Sequence, residues 1–224
     1  MTTTPRTYAL VGTATDRFIR RLQQGYRQDR PAAVATLARL RRGAGRSAHD
    51  VPDLWGLTST AELAVLLADL PAAEQRAFDH DRAEEALHLA VTLWASHQQS
   101  HREADMHVVG NSLGRAVRVL MAPDTLRSQT AAETRPGVQD AIVKAEPELN
   151  EPLRRRFVRV GTASSLEAMT QRLREIVQLL RREGLGLDYA LLADQVHRWQ
   201  LPAYRAEVRR EWGREFHLAD AARG

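Results

Sequence analysis

Apolar residues recur every three or four positions through nearly the whole chain, and nowhere do β-branched residues alternate long enough to build a strand. Leu37 with Leu40, Leu113 with Val117 and Leu120, and Leu153 with Phe157 and Val160 each form a stripe at helical spacing. That pattern confines the chain to an all-α fold, a helical bundle of about nine or ten helices. The start and stop residues divide it. Helices are expected over about Ala14 to Gln28, from Pro31 to Gly43, and at about Ser59 to Leu70, Asp81 to Ser100 and Ser112 to Met121. Between the second and third lies a loop in which Trp55 is expected to anchor against the core.

From Ala122 to about Asn150 the pattern loosens, with Pro123, Pro136, Gly137 and Pro147 among polar residues. The organisation this suggests is a bundle over 1–122, a linker over 123–149 with a short helix near Val138 to Lys144, and a second bundle over 150–224. In the last part Asn150 caps a helix carrying Pro152 in its first turn. Ser164 with Glu167 forms a capping box for a helix ending near Gly184, and Asp188 caps a helix reaching Trp199. A final helix runs from about Ala203 to Phe216.

The most pointed local motif is H-Q-Q-S-H-R-E-A-D-M-H, which puts His97, His101 and His107 at the spacing of the metzincin zinc proteases. In that motif a glutamate after the first histidine deprotonates the metal-bound water, and a glycine turns the chain so that the third ligand can return. Here those positions hold Gln98 and Ala104. An amide cannot accept the proton, and alanine resists the positive φ that glycine adopts freely. That chemistry argues against hydrolysis but not against bare metal binding; no metal or other cofactor is expected. The chain has no cysteine, which removes disulfides, thiolate nucleophiles and Cys-ligated zinc and suits a reducing cytoplasm. No stretch of eighteen consecutive apolar residues suggests a membrane span.

Charge carries more information than its total of +4. Lys144 is the sole lysine among 32 basic residues, so the pI of about 10.1 exaggerates the basicity, because few groups titrate between neutrality and the arginines. The charge is segregated. Residues 1–46 carry ten Arg against Asp16 and Asp29, a net of +8, whereas residues 47–105 carry three Arg against eleven acids, a net of −8. Helical geometry turns Arg39 and Arg42 away from Leu37 and Leu40, and Arg115 and Arg118 away from their own stripe. Arg155 and Arg159 oppose Leu153, Phe157 and Val160, and Arg154 and Arg156 flank that stripe.

The stretches A-T-L-A-R-L-R-R-G, S-L-G-R-A-V-R-V-L and L-R-R-R-F-V-R-V contain no acid, whereas a solvated helix face usually mixes signs. In R-L-R-E-I-V-Q-L-L-R-R-E the acids Glu175 and Glu183 interleave, and Arg181 and Arg182 read as ordinary surface. Unpaired guanidinium groups repel one another unless an anion relieves them, and phosphate matches their planar fork. With only 5% aromatic residues there is little to stack bases on, so backbone contact without sequence preference is expected.

The same segments carry a family likeness. L-A-R-L-R-R-G, V-T-L-W-A-S-H-Q-Q-S, S-L-G-R-A-V-R-V-L, L-R-R-R-F-V-R-V, L-R-E-I-V-Q-L-L-R-R-E-G-L-G-L-D-Y-A-L-L-A and V-R-R-E-W-G-R-E-F occur in that order between about Pro31 and His217. Together they resemble the CasB family, the small subunit of the type I-E CRISPR surveillance complex, Cascade. The resemblance implies an all-helical, non-catalytic protein. Two copies would lie along the belly of the complex, beside its large and backbone subunits, helping to hold guide RNA with target DNA and a path for the displaced strand. It places basic contacts on Arg41 and Arg42, on Arg115, and on Arg154, Arg155 and Arg156; Arg39, Arg118 and Arg159 rest on helical facing alone. It also makes the three histidines the end of the W-A-S-H-Q-Q helix and the loop after it. Two other classes remain as alternatives: a helix-turn-helix regulator built on L-D-Y-A-L-L-A-D-Q-V-H-R-W, and a zinc-binding helical protein.

Overall fold

A computed structural model of the chain describes residues 8–121 and 150–217. Among the described residues are ten α-helices and no sheet: α1 (Leu10–Arg27), α2 (Pro31–Leu40), α3 (Thr60–Ala68), α4 (Ala72–Ala77), α5 (His80–Gln98), α6 (Leu113–Met121), α7 (Glu151–Gly161), α8 (Leu166–Arg182), α9 (Tyr189–Trp199) and α10 (Pro202–His217). Short 3-10 turns follow α2 at Arg41–Gly43, Ala48–Asp50 and Pro52–Leu54. The expected linker over 123–149 and its short helix lie outside the described residues.

The core is organised around α5, whose residues from Ala86 to Ala95 are buried on every side. A helix that is apolar all round belongs at the centre, and α1, α2, α8 and α9 pack against it. Helices from both sides of 122–149 share this one core: α1 lies on α9, α5 on α8 and α9, and α6 on α10.

Two close approaches set the geometry. Gly12 lets α1 meet α9, because a Cβ there would fall 2.7 Å from the carbonyl oxygen of Ala190. Gly114 does the same between α6 and α10, where a Cβ would fall 2.4 Å from the oxygen of Trp212 and 2.7 Å from the nitrogen of Phe216.

Two helix starts depart from the sequence reading, α1 through a partner distant in the chain and α8 through a local cap. α1 starts four residues before Ala14, with no local side-chain cap. Its first N–H groups are satisfied by α9 instead: Asp194 accepts from Ala9 N at 2.8 Å and from Gly12 N at 2.6 Å. The cap of α8 is Ser165, not Ser164; its hydroxyl accepts from Ala168 N at 3.1 Å, which moves Glu167 out of the capping-box position. Asn150 and Asp188 cap α7 and α9 as expected. α4 was not foreseen, because it buries no residue and so shows no stripe. Trp55 does not anchor in the core. It is 62% exposed, and its indole N–H donates to the Ala48 carbonyl. No helix among the described residues is long and apolar enough to cross a membrane.

Candidate nucleic-acid interface

Arg39, Arg41 and Arg42 occupy the end of α2 and the 3-10 turn that continues it. Leu37 and Leu40 fix the inner side, leaving Arg39 and Arg42 exposed and Arg41 half-buried. Arg39 donates to the Asp53 carbonyl at 2.8 Å, which ties down the 52–54 turn. Arg41 and Arg42 form no ion pair or side-chain hydrogen bond among the described residues.

α7 is set by its Asn150 cap and by buried Leu153, Phe157 and Val160, so Arg154, Arg155, Arg156 and Arg159 are all exposed. The acid-free stretch has an acid just upstream. Glu151 lies 3.3 Å from Arg154 and 3.9 Å from Arg155, whose side chains keep 46% and 73% of their exposure. Exposed pairs of this kind contribute under about 1 kcal/mol, so an incoming phosphate can displace them. Arg156 has no such partner among the described residues.

On α6, Arg115 and Arg118 are half-buried, and neither is without a partner. Arg118 donates to the carbonyl of Phe216 at 3.1 Å, close to the last turn of α10. A cation bonded to a terminal carbonyl there stabilises the helix end, so Arg118 has a structural task whatever else it does.

These clusters are joined through residues that the sequence reading passed over. The Arg174 side chain lies against Gly45, and Gln171 donates to the Gly45 carbonyl at 2.7 Å, so α8 abuts the loop that follows Arg42. On its other side Arg172 donates to the backbone oxygen of Arg159 in α7. The ring of Phe157 stacks on Phe216 at 5.2 Å, next to the carbonyl held by Arg118. One run of contacts therefore leads from the α2 turn across α8 to α7 and on to the ends of α10 and α6. Arg172 and Arg174 were hidden because Glu175 adjoins them in sequence; their basic neighbours lie on other helices.

The three histidines diverge. His97 is fully buried and its Nδ1 pairs with the Tyr189 hydroxyl at 2.8 Å. His101 Nε2 donates to the Arg181 carbonyl at 3.0 Å. His107 accepts from Tyr189 N at its Nδ1 and donates from Nε2 to Asp16 at 3.0 Å, a pair of partners that the neutral ring satisfies. Burial works against the Asp16 carboxylate, but the hydrogen bonds from His107 and Arg20 outweigh it and hold its pKa below the ordinary value. Gln98 is buried and stitches the loop: its amide donates to the carbonyls of His101 and Ala104, and its oxygen accepts from Met106 N at 2.9 Å. The position of the missing general base thus has a structural use. The proposed recognition helix fares no better, since α9 is buried from Tyr189 to Val196 and cannot enter a groove.

The family model for the CRISPR-associated protein Cse2 matches residues 36–217. The crystal structure of CasB from Thermobifida fusca is similar over 95% of this chain and 100% of that one, at 43% identity and a TM-score of 0.73. That of CasB from Thermus thermophilus is similar in fold, with 22% identity and a TM-score of 0.55 over 91% of this chain and 97% of that one. None of the curated proteins matches the chain.

Proposed function

We propose, from the premise that the chain belongs to the CRISPR-associated Cse2 family, that it is the small, non-catalytic subunit of a type I-E Cascade complex in the cytoplasm. In that complex it contacts the backbones of guide RNA and target DNA and steadies the displaced strand. Two copies sit against the large and backbone subunits. The observation that carries the nucleic-acid part is the run of arginines from Arg41 and Arg42 across Arg174 and Arg172 to Arg154, Arg155, Arg156 and Arg159, with Arg39, Arg115 and Arg118 at its margins. These side chains come from different helices, and their apolar neighbours are already fixed in the core. Each exposed one can therefore meet a phosphate without repacking. Recognition of this kind reads charge and spacing, not bases.

The test is a titration of Arg42→Glu and Arg156→Glu against Arg76→Glu, which makes the same charge change on exposed α4. The first two should weaken binding of single-stranded DNA or RNA about tenfold each, as expected when a charge-assisted contact becomes a repulsion, with circular dichroism unchanged. Affinity should fall with salt at about −0.7 to −0.9 in log units per contact. If Arg76→Glu costs as much as the other two, binding follows total charge and no basic face exists.

A further inference from the structure

A cleft of about 380 Å³ opens where α5 and α8 end side by side, lined by Ser96, Ser100, His101, Gln178, Arg181 and Arg182. Every lining residue carries a hydrogen-bond donor and none is acidic, although Glu183 follows directly in sequence. Neither Arg181 nor Arg182 makes an ion pair among the described residues. Among the described residues the side chain of Arg181 makes one hydrogen bond, a long contact of 3.5 Å to the Ser100 hydroxyl. Two positive charges therefore share a concave surface with two hydroxyls and an amide, an arrangement whose mutual repulsion an anion would relieve.

Helix C-termini ordinarily disfavour anions because their last carbonyls point outward. Here several of those carbonyls are covered: Gly184 N donates to Arg181 O at 3.2 Å, Leu185 N to Leu180 O at 3.0 Å, and His101 N to Gln98 O at 3.0 Å. His101 Nε2 adds a second bond to Arg181 O. Loop residues at a helix end often take whatever conformation is convenient. Ser100, however, sits at φ 73°, a left-handed conformation that a residue with a Cβ enters at a cost, and its N–H is held by the Tyr26 hydroxyl at 3.3 Å. Neighbouring His97 registers the local charge: after burial, the fields of His101 and Arg181 help hold its pKa down at about 3.

We infer that this cleft is a phosphate site, in which the guanidinium groups of Arg181 and Arg182 grip the oxygens of a single phosphoryl group and Ser96, Ser100 and Gln178 complete its hydrogen bonds. It stands apart from the α2–α8–α7 arginines and rests on the cleft alone. Its concavity suits a terminal or free phosphate, or one strand phosphate turned inward, better than the flank of a duplex.

The experiment uses the full chain and inorganic phosphate, with chloride at matched ionic strength as the reference. Phosphate should raise the melting temperature of the parent beyond what chloride does. Arg181→Gln with Arg182→Gln should weaken its apparent affinity about tenfold or more, as loss of charge-assisted bonds predicts. Ser100→Gly, which keeps the left-handed backbone, should weaken it less, and Arg42→Glu should leave it unchanged. A 5′-phosphorylated strand and its 5′-hydroxyl twin distinguish the sources. A preference for the first that the double variant abolishes assigns a terminal phosphate, and equal weakening of both assigns an internal one. Weakening of inorganic phosphate alone assigns the free ion. Equal protection by phosphate and chloride, or undiminished phosphate protection in a folded double variant, overturns the site. Failure of Arg42→Glu to weaken strand binding would sink the earlier reading and leave this one standing.

Discussion

Gly114→Ala adds one methyl group at the crossing of α6 and α10, and its cost can be worked from the contacts. The new Cβ would stand 2.4 Å from the Trp212 carbonyl oxygen, 2.7 Å from the Phe216 nitrogen and 2.9 Å from the Glu215 Cβ, where ordinary contact begins near 3.4 Å. Two of these atoms are backbone, so no rotamer relieves the overlap and α10 must retreat by roughly 1 Å to restore van der Waals contact. Overpacking of this kind costs about 1–3 kcal/mol, and backbone obstacles place it toward the upper end. Alanine returns about 0.8–1 kcal/mol of helix propensity, which leaves a net loss of about 2 kcal/mol. Gly213→Ala is the matched control: it makes the same chemical change within α10, and its Cβ would meet nothing within 4 Å. Only the propensity gain applies there, about 0.5–1 kcal/mol of added stability. Urea unfolding of the two variants and the parent, followed by far-UV circular dichroism, measures all three values. If Gly114→Ala is as stable as the parent, α6 and α10 do not cross as closely as described. The reason given for glycine in S-L-G-R-A then fails.

Two further predictions concern pH. Burial pushes the Asp194 carboxyl up to about 6 from 3.8, so the folded state binds its proton more readily than the unfolded state; about 3 kcal/mol of destabilisation is present above pH 6 and is relieved as pH falls toward 3.8. The stability of Asp194→Asn minus that of the parent should therefore decrease by up to about 3 kcal/mol between about pH 7 and about pH 4, and a constant difference would show that Asp194 does not titrate there. His97 works in the opposite sense: burial holds it near 3, so its contribution is complete above 6.5 and is lost as pH falls from there toward 3. His97→Gln, whose amide can still reach the Tyr189 hydroxyl, should flatten the acid limb of a stability–pH profile, and added zinc should protect neither it nor the parent against thermal unfolding; an unchanged acid limb would refute the assignment.

What could be read from the sequence was whatever a helix determines within its own turns. The stripes Leu37/Leu40, Leu113/Val117/Leu120 and Leu153/Phe157/Val160 are all buried, and the caps at Asn150 and Asp188 lie where local chemistry puts them. The largest error came where a partner lay far along the chain, although the cap of α8 was displaced by one residue through purely local chemistry. The start of α1 is set by Asp194 on α9, more than 180 residues away, and no pattern near Leu10 encodes it. Trp55 looked like an anchor because a large aromatic in a loop usually seeks the core, yet Leu54, its neighbour, takes the buried position.

The arginines divide along the same line. Helical facing sufficed for Arg39, Arg42, Arg155 and Arg159, each of which is exposed. It could not show that Arg118 would be drawn to the end of α10, nor that Arg172 and Arg174 would bridge two basic clusters despite Glu175 beside them. A charge run in one dimension measures the composition of a segment, whereas a phosphate senses the charges within about a Debye length of it, whichever helix supplies them. Arg181 and Arg182, which a neighbouring glutamate made look neutralised, line one cleft and form no ion pair among the described residues. The sequence rule that acid-free stretches mark anion sites is better stated for surfaces: what matters is whether an acid lines the same cleft, and Glu183 does not.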